Sequence, residues 1–218
     1  QAAEKMREAV ESGDKPLAEI EASTQRILSF KGKLTPTLDE EFALVGSKDH
    51  RDKVDKLYEK SLAIAQMPLN HIPPLGDNPL FVSCLPFVTT LASNPVVGGL
   101  SFADFLQEHF GGVAHTMPTD PSALSAAAIG AMAKVHTSVV VGTYNGHIKR
   151  GQMEVVKQLA SWGVPVTVFA LCNPYVLSHL PENIMGIAAY AYNQQVLDKV
   201  ALVLSGGLKP QGKLPVQL

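Results

Sequence analysis

Little in this 218-residue chain points to an ion, a thiol scaffold or a membrane as its working partner. Two cysteines, Cys84 and Cys172, each stand alone in an apolar stretch, so neither zinc-ligand spacing nor a disulfide framework is present, and both read as reduced core thiols. No apolar run reaches the ~18–20 residues of a membrane helix, and the visible amino terminus carries no signal-peptide pattern. The single tryptophan, Trp162, closes a predicted helix and reads as core, and His115 reads as a hydrogen-bonded core residue. Glycine-rich nucleotide turns, a phosphate loop ending in Gly-Lys-Ser/Thr and a Gly-x-Ser-x-Gly elbow are all missing, which removes nucleotide and serine-hydrolase chemistry. The seven histidines form no close pair, so no metal and no cofactor is expected. A formal charge of −2 gives no basic field for nucleic acid.

What is present is unevenly placed. Of 38 charged residues, 24 fall in the first 60 positions, which leaves the rest of the chain with few charges to show to water. Buried strands account for part of this poverty, and a surface that a partner covers accounts for more.

The front reads as helical. Asp14 ahead of Pro16 marks a helix start, and Leu17, Ile20, Thr24, Ile27 and Leu28 recur at helical spacing as far as Phe30. A loop from Gly32 to Gly46 follows. A second stripe of Val54, Leu57, Tyr58, Leu62 and Ala65 predicts a helix from His50 to Gln66, with Arg51, Lys53, Lys56 and Lys60 on its solvated face. Beyond the proline-rich passage His71 to Pro79 the pattern changes. Short apolar runs at Leu80–Leu85, Gly112–Met117, Thr137–Gly142, Val164–Leu171 and Met185–Ala189 alternate with helical segments.

Such alternation implies crossover connections, and runs that are apolar on both faces imply helices on each side. The expected fold is therefore α/β: a doubly wound, mostly parallel sheet of five or six strands in an αβα sandwich. Residues 1–70 form a helical extension and 71–218 the sandwich. Asp120-Pro121 is expected to cap the helix Ser122–Val135, Asn173-Pro174 to repeat that device, and Gly206-Gly207 to end the helix Gln194–Ser205.

Ligands of such sheets meet the loops beyond the strands' carboxyl ends. The polar loop Tyr144 to Gln152 is the prime candidate. Tyr144, Asn145 and His147, with Asn173 from the next loop, suit a sugar or another hydroxylated ligand. An Asn-Gly turn leading into a basic helical turn explains the same residues without a ligand. After Lys60 only Asp77, Asp104, Glu108, Asp120, Glu154, Glu182 and Asp198 are acidic, and they offer no paired carboxylates at strand ends.

Gly142 to His147 with Gly151 and Gln152, Gly163 to Val166, and Asn173 to Tyr175 resemble the second domain of family 3 glycoside hydrolases, above all of two-domain bacterial β-N-acetylglucosaminidases. Ala189 to Tyr192 and the ending Gly212, Lys213, Leu214, Pro215, Val216 are similar to the close of that domain. Ser23 to Leu28 and Lys31 are similar to the segment leaving the family's catalytic barrel.

The resemblance implies a parent enzyme that removes terminal β-linked N-acetylglucosamine, with a (β/α)8 barrel ahead of this domain as its packing partner. In that branch the nucleophilic aspartate and the His-Asp acid/base pair sit on the barrel, so no catalytic residue is expected here. Some β-glucosidases of the family take an acid/base glutamate from the second domain, but no matching motif surrounds Glu108, Glu154 or Glu182. An extracytoplasmic or cell-wall setting for the parent is a further implication. The chain begins at Gln1 and meets its first methionine at Met6, and the native start is expected to lie upstream. A free-standing sugar- or muropeptide-binding module, and a segment that mediates oligomerisation, are the alternative readings.

Overall fold

The computed structural model describes residues 2–34, 45–86 and 101–218. The chain divides into two compact units, Gln1–Ser47 and Lys48–Leu218. The first contains helices α1 (Ala2–Glu11) and α2 (Leu17–Lys31), neither of which buries a residue. Helix α2 begins just after Pro16, as the spacing predicts, but Asp14 does not cap it. That carboxylate accepts a hydrogen bond from the Ser12 hydroxyl at 2.8 Å, and Pro16 occupies the cap position with no side-chain bond. Most of the expected Gly32–Gly46 loop lies outside the described residues.

The second unit holds a six-stranded sheet in the order β1-β6-β5-β4-β2-β3, with β1 (Ala63–Gln66), β2 (Pro79–Cys84), β3 (Val113–Met117), β4 (Ser138–Thr143), β5 (Val166–Ala170) and β6 (Met185–Ala188). All neighbours are parallel except β1 with β6. Five strands fall within two residues of the predicted runs at each end. β1 was expected as the last turn of a helix. Helix α3 runs only over Lys48–Ser61, because Leu62 and Ala63 are fully buried and the chain there pairs with β6 instead. Here the edge of a sheet overrides helical spacing. The boundary between units therefore falls at Ser47, and the proline-rich passage at residue 71 lies inside the second unit.

Strand composition explains the layers. Leu80, Val82, Val139, Val141, Val166 and Val168 pack into one core with Ile129 of α5 (Ala123–Met132) and Val155, Val156 and Leu159 of α6 (Gly151–Ala160). Their alternates Phe81, Val140, Phe169, Met185 and Ile187 pack into the other, against Phe102 and Leu106 of α4 (Phe102–Phe110) and Leu197 and Val200 of α7 (Gln194–Leu204). Successive side chains leave a strand on opposite faces, so runs apolar at every position need two helical layers. Helix α3 joins α7 through Lys199 to Asp55 at 2.6 Å and Asn193 to the Tyr58 hydroxyl at 3.0 Å. At the sheet's edge the Gly212 amide donates to Leu62 O at 2.8 Å, and a Cβ there would lie 2.5 Å from Ser61 O, so the Gly-Lys-Leu-Pro-Val ending needs its glycine. Trp162 departs from expectation: it is 44% exposed, with Lys134 Nζ 3.9 Å above its ring. His115 stands half-buried on the edge strand β3.

Candidate functional site at the carboxyl ends of the strands

Chain order turns back at β2, which has β3 on one side and β4 on the other. At such a switch point, two loops diverge and leave a crevice at the carboxyl edge where ligands usually bind. In this protein aromatic side chains occupy that position. Tyr144, directly after β4, packs against Tyr192 with ring centroids 6.1 Å apart. The Tyr192 hydroxyl accepts from the Phe102 amide at 2.6 Å, at the start of α4, and lies 3.5 Å from Cys84 O at the end of β2, to which it donates. Burial pushes the Tyr192 phenol up to about 12 and the Cys84 thiol up to about 11. Burial, and then the neighbouring Cys172 sulfur, raise Tyr144, while Cys172 is raised by burial. These groups stay neutral and protonated near pH 7, which suits packing and not nucleophilic attack.

The loop after β4 is held from within. Asn145 takes a left-handed backbone conformation, φ 52°, and its carbonyl accepts from the Ile148 and Lys149 amides at 2.9 and 3.0 Å. Asparagine tolerates this geometry, and Gly146 follows because a Cβ there would come 2.8 Å from Val176 Cγ2. Gln152, fully buried, accepts from the Tyr144 amide at 2.9 Å and donates to Tyr144 O at 2.9 Å and Thr119 O at 2.8 Å. One side chain thus ties the loops after β3 and β4 together.

Of the four expected ligand contacts, the structure joins two directly. Asn173 Nδ2 donates to Asn145 Oδ1 at 2.7 Å, so these amides serve each other. Asn173 does precede a short 3-10 helix, Pro174–His179, but its side chain does not cap it. Tyr144 belongs to the switch-point cluster. His147 stands apart, with its ring edge-on to Tyr175 at 5.7 Å and Nδ1 buried without a hydrogen-bond partner. Sequence reasoning missed Tyr190, which has φ 63° and a buried hydroxyl without a partner. Nothing in a local pattern signals a left-handed tyrosine.

Asp120 also corrects the sequence reading. Ser122 caps α5 by accepting from the Ser125 amide, whereas Asp120 Oδ1 accepts from the Gly151 amide at 2.9 Å and so caps α6. Two more carboxylates of the unit are engaged within their own helices: Glu154 of α6 with Lys157 at 2.8 Å, and Asp198 of α7 with Gln194 at 2.8 Å. Asp104 is exposed in the first turn of α4. Asp120, Glu154 and Asp198 thus each serve a helix, a different use from that of the paired carboxylates of glycosidic hydrolysis. Among the described residues, no group of three or more His, Cys, Asp or Glu side chains could hold a metal ion, and no helix is long and apolar enough to cross a membrane.

A doubly wound α/β lobe, with its switch point filled by tyrosines and three of its carboxylates bonded within helices or at a helix start, is what the fold and site define. Solved structures that share the fold include family 3 glycoside hydrolases and related enzymes. A β-N-acetylglucosaminidase of that family from Paenibacillus sp. str. FPU-7 is 25% identical over 95% of this chain, with a TM-score of 0.68. A fungal multi-domain family 3 β-N-acetylglucosaminidase matches 98% of the chain at 18% identity and a TM-score of 0.69, and a β-glucoside phosphorylase matches 97% at 18% and 0.63. The chain spans only 41%, 25% and 40% of these three proteins. This is the likeness expected of the family's carboxyl-terminal α/β domain. No protein-family model matches the chain, and no curated protein gives a significant match.

Proposed function

We propose that this chain is the non-catalytic carboxyl-terminal domain of a family 3 glycoside hydrolase whose parent removes terminal β-linked N-acetylglucosamine, in bacterial cell-wall turnover. A (β/α)8 barrel outside these 218 residues would carry the nucleophile and the acid/base, and this domain would pack on it. The observation that carries the reading is what acidic side chains of the α/β unit do: Asp120 accepts from the Gly151 amide at the start of α6, Glu154 pairs with Lys157 and Asp198 accepts from Gln194, all helix-stabilising bonds. Similarity to an acetylglucosaminidase at 25% identity supports the substrate class. The loop from Tyr144 to Gln152 would border the parent's sugar cleft. In that role Asn145 and Asn173 act through the shape their mutual bond gives the loop, and Tyr144 and His147 offer rings.

The test is turnover of an aryl β-N-acetylglucosaminide by this chain alone and by a chain extended through the upstream coding sequence. The expected result is no hydrolysis by the first and hydrolysis by the second. Hydrolysis by the 218 residues that is abolished in Asp104→Asn or Asp120→Asn would refute the assignment of the chemistry to another lobe. Calorimetry with N-acetylglucosamine addresses the binding-module alternative, which requires saturable binding lost in Asn145→Ala.

A further inference from the structure

A cleft of about 410 Å³ opens beside α6, and its walls include Gly146, His147, Arg150, Glu154, Lys157 and His179. Its lining carries two cations, Arg150 and Lys157, against one carboxylate. Glu154 is its one carboxylate and is already held by Lys157 at 2.8 Å. The Arg150 guanidinium makes no hydrogen bond or ion pair with any described residue, so five N–H donors in a rigid fork stand open at the rim. The exposed His179 ring is similarly unpartnered among the described residues.

The second observation is independent of charge. His147 Nδ1 is shielded from water and has no hydrogen-bond partner, although it belongs to the loop that Gln152, Asn145 and Gly146 hold firmly in place. A buried polar atom left unpaired costs about 1–3 kcal/mol, which a turn of the His147 ring towards a ligand in the cleft would relieve. Asp120, which accepts from the Gly151 amide, is not part of the cleft's lining.

We propose that this cleft binds the oxyanion of a small ligand, a carboxylate or a phosphate group, with Arg150 as the fork, Lys157 as the second cation and His147 as part of the wall. The guanidinium matches either anion by two parallel N–H bonds. The inference does not depend on the family assignment and would stand for a free module as for a domain.

The full chain is titrated by calorimetry and by amide NMR with D-glucuronate as the carboxylate probe, glucose 6-phosphate as the phosphate probe and N-acetylglucosamine as the uncharged control. The expected result is saturable binding of at least one anion with a Kd below about 1 mM, shifts centred on Gly146 to Gly151, and a Kd weakened about tenfold in Arg150→Gln. The relative affinity of the two anions says which group the cleft prefers. Lys157→Gln, also on the exposed face, gives the same reading with a smaller loss should Arg150→Gln fail to fold. Raising ionic strength from about 0.05 to 0.5 M weakens a true anion site. The proposal is overturned by absence of saturation with both anions up to about 10 mM, by equal binding of the uncharged sugar, or by shifts centred elsewhere.

Discussion

Helices α2 and α7 carry the same kind of pattern and meet opposite fates. Both are amphipathic, yet α7 buries six of its 11 residues and α2 buries none of its 15. On α2, Leu17, Ile27, Leu28 and Phe30 stay 55–67% exposed, whereas Leu197 and Val200 of α7 vanish into the core beneath the sheet. An apolar stripe records that a face is to be covered, and says nothing about where the cover comes from. For α7 it is the sheet of its own unit. For α2 the proposed source is the barrel of the parent enzyme, whose solved relatives are more than twice as long as this chain.

The largest effect should come from emptying the core on which α7 rests. Phe169→Ala removes a fully buried ring between β5 and Phe102, and should lower unfolding free energy by about 3–5 kcal/mol in urea titrations. A loss under about 1 kcal/mol would mean that the α/β unit is not the self-sufficient body described.

Next in size is Gln152→Ala, which leaves the Tyr144 backbone and Thr119 O without their partner and should cost about 2–4 kcal/mol. Amide exchange at Tyr144 should accelerate at the same time, and unchanged exchange would show that the loop is held by something else.

Alkaline pH separates the units a third way. The Cys84 thiol moves from 9.0 to about 11 and the Tyr192 phenol from 10.0 to about 12 on folding. Between these limits the unfolded chain has lost protons that the native chain keeps, so stability falls as pH rises from about 9 towards 12 and is intact below 9. Thermal melts should show a loss on the order of 2 kcal/mol by pH 11, reduced in Tyr192→Phe. Equal alkaline sensitivity in a Cys84→Ala, Tyr192→Phe double variant would place the titration elsewhere.

The smallest effect is expected on α2. Ile27→Ser with Phe30→Ser should change the isolated chain's stability by no more than about 0.5 kcal/mol, because both side chains already face solvent. In a chain extended to the barrel the same pair should destabilise measurably, and equality in the two settings would remove the argument that α2 awaits a cover.

Much of the architecture was legible. Five of six strands, the helices α5 and α7 and the glycine at Gly206, φ 78°, sit close to where alternation and capping chemistry put them. Strand β1 was not legible, since Leu62 and Ala65 fit a helical stripe and only pairing with β6 turns Ala63–Gln66 into a strand. The candidate site was legible as a place and not as an arrangement. Tyr144, Asn145, His147 and Asn173 do gather near the carboxyl ends of β4 and β5, but two of them bond each other and a third plugs the switch point.

Apolar residues on both alternating faces of the strands determined two helical layers from sequence alone, because the backbone sends neighbouring side chains to opposite faces. What only the tertiary structure decided is the pairing of polar groups. Asp120 finds Gly151, Asn173 finds Asn145 and Gln152 finds Thr119, each about thirty residues away. Parallel crossovers return every second connection to the same end of the sheet, so the nearest partner in space there is a full strand-helix unit distant in the chain.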